Sequence, residues 1–560
     1  MNCDRDPEEY LSPWTVIPDS VLLHIFNFLS AKEVLNAGLT CKRWNMISLD
    51  DILWKHLFFR NFCITPGLPI APGKYSWFEE YKRLCYHTPR VCSEVLHGHR
   101  HEVLHVSFSH DGTMFATSSK DGFIMVWDSD YPVKIKYSYD MKEFSWKCTQ
   151  FSQFNKSDTL ILVSGVHFGS QSSTSGEIAV FSLQGGFQLQ CRVGNKPYDI
   201  FGTWYSDRHL LSGDLYWLAH LVSTTGLWIN KASQESSSEH TPILNQLFRF
   251  YNTNASSVRT VMVADCVDES NKNVRNHTNT GNHLTERQRY KDRVADDDCQ
   301  SNGESDNEDD DLSGQPEKLL IFTTGSKTYT PHQIGFKKIK GVKFPKILQP
   351  GLSLKERIAK HRKRQLIGSI PLSENWENYN STSDKFDEVD HLLDLHGHII
   401  GMGLSPDHRY LYVNSRHWPE NYVITNPLEP PPIAQEIDIH VIDLVNFCEV
   451  GKQLRSHKSY TPNHLCFFIF LDVSEEYVAS GAEDKHGYIW DRYYGICLWK
   501  LPHNNVVNSV AFNPVDQGML VSTSDDYEIK VWRSMSFLDK AIGSFERRKL
   551  PHALCSVKKK

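Results

Sequence analysis

Histidine, hydroxyl and carboxylate recur in this chain at spacings that could support acid–base chemistry. His99, Thr117 and Asp121 precede Trp127, and His503, Ser522 and Asp526 precede Trp532. A histidine oriented by a carboxylate and facing a hydroxyl is the arrangement used in nucleophilic hydrolysis. Yet the set occurs twice, and a partial third copy stands at Ser480, Asp484 and Trp490. A catalytic triad has no reason to recur along a chain. Repetition points instead to a buried hydrogen-bond network in which each polar group satisfies the next. On this reading the histidines are struts, and no residue is assigned a catalytic role.

The elements that carry these residues are short strands. Leu96 to Asp128 spans a segment within the ~40–45-residue period of WD-type blades, with Val103–Phe108 alternating as an inner strand and Asp111-Gly112 turning the chain. Three offsets repeat: Asp121, Asp484 and Asp526 each stand six positions before a tryptophan. More degenerate strand sets follow at 151–183 and 198–230, at 258–263 paired with 319–322, and from His396 onward, with 458–500 as a sixth unit and 503–545 as a seventh. The expected fold is an all-α head followed by an all-β propeller of seven blades over 91–545, which closes without a free sheet edge.

Residues 11–60 form the head. Val21, Leu22, Ile25, Phe26 and Leu29 have the spacing of a helix with one broad apolar face. Ser30 with Glu33 forms a capping box for a second helix, and Cys41 to Ile47 predicts a third. About fifty residues bury too little to be stable alone. A linker over 61–90 contains a Pro/Gly loop and a second capping box, Ser76 with Glu79, opening a helix through Leu84. A helical spacer implies a fixed reach between head and propeller.

The order Ile17-Pro18, Ile25-x-x-x-Leu29, Leu35, Cys41-x-x-Trp44, Leu53-Trp54 resembles the F-box. With the propeller, and with stretches such as His396 to Pro406, Tyr410 to Arg416 and Val478 to Arg492, the chain resembles the F-box/WD-repeat substrate-receptor family. That resemblance implies a non-catalytic subunit of a Skp–cullin–F-box ubiquitin ligase, binding protein targets on the propeller. The implied targets are centriole-assembly, actin-regulatory or growth-signalling proteins. It places the Skp-adaptor contacts among Pro18, Leu22, Ile25, Leu29, Leu35, Cys41 and Trp44, some of which must instead hold the head together. It also implies a link to cullin-4 ligases through a Trp-Asp-x-Arg motif. Trp490, Asp491 and Arg492 are the candidates, but the arginine comes one position early and so turns to the other strand face. The alternative function is a non-degradative scaffold in centrosome or actin assembly.

Composition fits these expectations. A net charge of −7 over 560 residues gives no bulk attraction to nucleic acid or anionic membrane, and no apolar run reaches the ~20 residues of a membrane helix. Thirteen cysteines without a Cys-x-x-Cys pair fit reduced thiols, with no metal site and no cofactor. The expected location is cytoplasmic. Residues 267–316 lose hydrophobic patterning and read as a disordered acidic insertion, in which Ser305 precedes an acidic run and suits an acidophilic kinase. A basic insertion is expected over 337–390, including Lys360 to Arg364, which as an import signal would add a nuclear pool. A basic tail is expected over 546–560.

Overall fold

The computed structural model describes residues 17–64, 67–167, 175–232, 243–266, 317–341 and 382–541, together with Trp14, Trp376 and Tyr379. The acidic insertion with Ser305, Lys360 to Arg364 and the tail at 546–560 lie outside the described residues.

Among the described residues the head contains the four helices that follow. α1 (Asp19–Phe26) follows Pro18 and carries Asp19 in its first turn, where a negative charge suits the helix dipole. α2 (Ala31–Gly38) is opened by the reciprocal capping box: the Ser30 amide donates to the Glu33 carboxylate at 2.8 Å, and the Glu33 amide to the Ser30 hydroxyl at 3.4 Å. α3 (Lys42–Ser48) is followed by α4 (Asp51–Phe62), capped by the Asp50 carboxylate on the Ile52 and Leu53 amides. The sequence marks α4 by its Leu53-Trp54 pair alone, and with Leu57 and Phe58 it supplies half of the head's buried apolar residues. In the spacer, Ser76 caps α5 (Trp77–Lys82), which continues into a wider turn at Arg83–His87.

Seven antiparallel sheets follow. The first blade runs Val103–Phe108, Met114–Ser119, Phe123–Asp128 and Lys134–Asp140 from inside out; the next three occupy 146–195, 203–252 and 259–394. The fifth is Gly397–Leu404, Tyr410–His417 and Glu436–Asp443 with two short outer strands, Cys448–Glu449 and Leu454–Lys458. The sixth is Leu471–Val473, Tyr477–Ser480, His486–Asp491 and Cys497–Pro502.

The seventh blade differs from the expected 503–545 unit. Its three inner strands are Val507–Phe512, Met519–Ser524 and Ile529–Arg533, but its outer strand is Val91–Leu96, which pairs with Ile529–Arg533 and closes the ring. Residues 535–541 are helical instead. The basic insertion is also shorter than expected. Gln333–Ile339 is a strand of the fourth blade and includes Lys337 and Lys338, and Lys337 pairs with Asp390 at 2.7 Å. Farther on, Trp376, Tyr379 and Phe386 pack on the outer strand of the third blade through Tyr251 and Arg249.

Antiparallel order fixes two ends of the ring. Connections from first to second and third to fourth strands emerge at one end, and the others at the opposite end. Phe58 of the head meets Tyr494, and Ala71 and Lys74 of the spacer meet Tyr494 and Glu476, which lie in the first kind of connection in the sixth blade. Head and propeller share one core: Leu22, Phe26, Trp54, Phe58 and Trp77 belong to the same buried cluster as Tyr477, Tyr494, Phe512 and Trp532. On the axis, aromatic side chains from blades that are not neighbours meet. His105 lies 4.6 Å from Phe151 and 4.4 Å from Phe470 between ring centroids, and Phe201 and Phe468 complete the plug.

Candidate functional site: the head's apolar face and the propeller networks

α1 is apolar on two adjacent stripes. Leu22 and Phe26 point into the shared core, whereas Val21, Ile25 and Phe28, at i, i+4 and i+7, remain exposed. Leu35 of α2, Leu39 just after it and Met46 of α3 extend the exposed set. Phe28 is 76%, Leu39 82% and Met46 72% exposed, while Leu22 is 0%. The residues assigned to the Skp adaptor therefore divide. Pro18, Ile25, Leu35 and Cys41 are on the surface; Leu29 and Trp44 are half-buried; Leu22 is core. Leu22 is thus corrected from a contact residue to a packing residue, because the stripe one position earlier is the one that faces out. Trp44 packs edge-on against Phe26 and Trp14, each at 5.6 Å. Val21, Phe28, Leu39 and Met46 were missed, although the apolar character of α1 on both stripes was a signal for a second covered face.

The spacer joins the propeller through a buried charge cluster. Arg83 donates to Glu80 at 2.7 Å, to Asp491 at 2.6 Å and to Glu476 at 3.3 Å. Burial opposes its charge, but the Glu80 hydrogen bond and the neighbouring carboxylates outweigh it and hold the guanidinium above its ordinary pKa. Burial lifts the Asp491 carboxyl above its usual value, and Arg83 with the Tyr494 amide pulls it back toward the ionised form. The tripeptide assigned to the cullin-4 adaptor sits here. Trp490 and Asp491 are buried, and Arg492 donates to the Tyr412 hydroxyl at 3.1 Å and to the carbonyls of Ser474 and Glu475. These three side chains are committed to the fold.

In the first blade His99 Nδ1 lies 2.9 Å from Asp121, its Nε2 lies 2.8 Å from the Thr117 hydroxyl, and the Trp127 indole N–H donates to that hydroxyl at 2.9 Å. The seventh blade repeats this with His503, Asp526, Ser522 and Trp532 at 3.0, 2.7 and 2.7 Å. Although burial works against its charge, hydrogen bonds from His503 and from the Asn504 and Glu528 amides hold Asp526 below the usual carboxylate range. His503, Asp526 and Glu528 are close enough to hold a metal ion, but the His503 ring nitrogens are already engaged by Asp526 and Ser522.

In the sixth blade the expected set of Ser480, Asp484 and Trp490 does not form. The Tyr488 hydroxyl takes the Asp484 carboxylate at 2.5 Å, and Ser480 accepts from Asn414 and donates to the Gly481 carbonyl. The Trp490 indole N–H and both nitrogens of buried His457 have no hydrogen-bond partner. A bulky tyrosine where the first blade has Met125 diverts the aspartate.

A hydrolase-like relay occurs elsewhere. Ser415 Oγ lies 2.8 Å from His440 Nε2, and His440 Nδ1 lies 2.8 Å from Glu449. Ser415 is 0% exposed, so no substrate carbonyl can reach the hydroxyl, and the relay is another strut.

Comparison with known proteins agrees with the architecture. Residues 14–60 match the F-box-like family model, and 90–128 and 495–533 match the WD domain, G-beta repeat. F-box/WD repeat-containing protein 5 of Mus musculus is 42% identical over 93% of this chain and 94% of its own length, as is that of Homo sapiens. The chain belongs to the F-box/WD repeat-containing protein 5 family. A Drosophila melanogaster WD repeat-containing protein 26 homolog is similar over a smaller part, 38% identical across 17% of this chain and 15% of its own.

Proposed function

We propose that this chain is the substrate-recognition subunit of a Skp–cullin–F-box ubiquitin ligase. The head docks on the Skp adaptor, which links it to the cullin scaffold. The propeller holds a target protein for ubiquitination and proteasomal degradation, and the chain contributes no catalytic group. One observation carries this reading: α1 to α3 expose a large apolar face on a head whose other side is already buried in the propeller core. Such a patch marks a protein interface. A scaffold needing only the propeller has no use for it. A cytoplasmic location, with a nuclear pool, accompanies the reading.

Docking of a cullin-4 adaptor through Trp490-Asp491-Arg492 has less support, since those side chains hold the spacer and neighbouring loops. Co-purification with that adaptor, unchanged by Arg492→Ala, would remove this tripeptide from any such contact.

The test of the main reading is co-purification with the Skp adaptor. Wild type should form a stable complex, and a Phe28→Ala/Leu39→Ala/Met46→Ala variant should lose it at least tenfold while unfolding at the same temperature. A wild type that folds but does not bind, or a triple variant that binds normally, rejects the proposal.

A further inference from the structure

The end of the propeller opposite the head carries a cleft of about 1100 Å³ between the fourth and fifth blades. It is built by an enlarged connection. The second and third strands of the fifth blade are joined by 418–435, whereas 120–122 suffice in the first blade. Ordering so much chain has an entropic cost, and here buried polar contacts offset it. Arg416, buried, donates to the carbonyls of Ala434 and Thr461; Asn463 donates to the Pro431 carbonyl; and the Tyr329 amide donates to the Pro427 carbonyl of this loop. The loop is preorganised and lines the cleft with exposed Tyr422 and half-buried Ile424.

The charges in the cleft are layered. Arg455 pairs with Asp438 through Nε and, at 2.9 Å, through Nη2; Lys327 pairs with Asp394 at 2.9 Å; and His417 lies 3.3 Å from Asp438. The side chain of Arg455 is 53% exposed and that of Asp438 3%. Lys327 and His417 are likewise more exposed than their acidic partners. Asp438 lies in the floor, Asp394 backs Lys327 from outside the lining, and the N–H donors face outward. Arg455 keeps its Nη1 free of Asp438, and Lys327 has two ammonium hydrogens beyond the one Asp394 takes, so an incoming anion finds donors already held in place. Glu420, also on the cleft, is the one acidic side chain turned to solvent among those lining it.

We propose that this cleft binds an extended acidic segment of the target protein, with carboxylate or phosphate groups on Lys327, His417 and Arg455 and an apolar side chain on Tyr422 and Ile424. The inference rests on the receptor reading above and places the target site away from the ring axis, which the aromatic plug fills.

The experiment probes an array of random dodecapeptides with the full chain bound to the Skp adaptor. Each peptide is paired with versions in which Asp/Glu become Asn/Gln or phosphoserine. Enrichment of acidic peptides carrying an apolar residue is expected, with binding weakened at least tenfold by Lys327→Glu/Arg455→Glu and by raised salt, and little changed by Glu420→Gln. Tyr422→Ala/Ile424→Ala, which leaves the ion pairs intact, should also weaken it. Preference for phosphoserine over Asp/Glu would identify a modified target, and equal or weaker binding an unmodified one; either supports the site. No enrichment, enrichment of neutral or basic peptides, or binding indifferent to all three cleft variants overturns it. Adaptor binding, measured on the same samples, reports separately on the receptor reading.

Discussion

Arg83 and Asp491 stand 408 positions apart in the chain, and their side chains meet at 2.6 Å. Arg83 is the one cation shared by a carboxylate of the spacer, Glu80, and two of the sixth blade, Asp491 and Glu476. Removing it leaves buried carboxylates unpaired, which costs about 3–5 kcal/mol. Arg83→Met should therefore free the head, seen as new protease cleavage within 64–76 while the propeller stays resistant. Replacing Glu80, Arg83 and Asp491 together by apolar residues should recover most of the loss. Unchanged cleavage in Arg83→Met would show that the apolar core alone fixes the head.

Leu22 and Phe28 should separate in a stability assay. Leu22→Ala empties a fully buried site and should cost about 2–5 kcal/mol, measured by urea unfolding. Phe28→Ala removes an exposed side chain and should shift stability by no more than about 0.5 kcal/mol.

The propeller networks make a second contrast. In Thr117→Val, His99 Nε2 and the Trp127 indole N–H both lose their partner, at about 1–3 kcal/mol for each group stranded. His457→Leu in the sixth blade removes two ring nitrogens that already lack partners and should be neutral or stabilising at pH 7.5. Equal destabilisation by the two substitutions would contradict the assignment.

Acid should destabilise the fold well above the carboxylate range. Burial pushes His105, His398 and His457 down to about 3, against an ordinary value near 6.5. Between these limits the unfolded chain binds protons that the folded chain refuses, so stability is complete above about pH 6.5 and falls as pH decreases. Each histidine contributes about 1.4 kcal/mol per pH unit, roughly 4 for the three; burial lowers His503 and His332 in the same sense. Urea midpoints measured from pH 7.5 to 5 should show this slope, and His457→Leu should reduce it by about 1.4 kcal/mol per unit. A flat profile would mean that these rings reach water.

What could be read from the sequence was whatever repeats or follows local rules. The Ser30–Glu33 box, the helix after Ser76 and the pairing of 258–263 with 319–322 depend on near neighbours or strand alternation, and each appears in the structure. What escaped depends on the third dimension. Leu22 and Ile25 are equally apolar, and periodicity does not tell which stripe the propeller covers. Ser480, Asp484 and Trp490 keep the spacing of a network that Tyr488 disrupts from within the same blade. Arg455 and Lys327 are 128 positions apart and share a cleft only because two neighbouring blades bring their loops together. The strand Val91–Leu96 has no local sign that its partner lies at the far end of the chain.

That closure orders events during synthesis. Val91–Leu96 leaves the ribosome long before Ile529–Arg533, its strand partner, and at ~5–20 residues per second the delay is some tens of seconds. The head waits as well, since its seat includes Tyr477, Tyr494, Phe512 and Trp532. Throughout that interval the inner side of the head is as bare as its outer face, a natural client for chaperones. A message cut short before residue 477 yields a chain with an open ring and an unseated head, so the geometry that would carry a target to the ligase is withheld from such products.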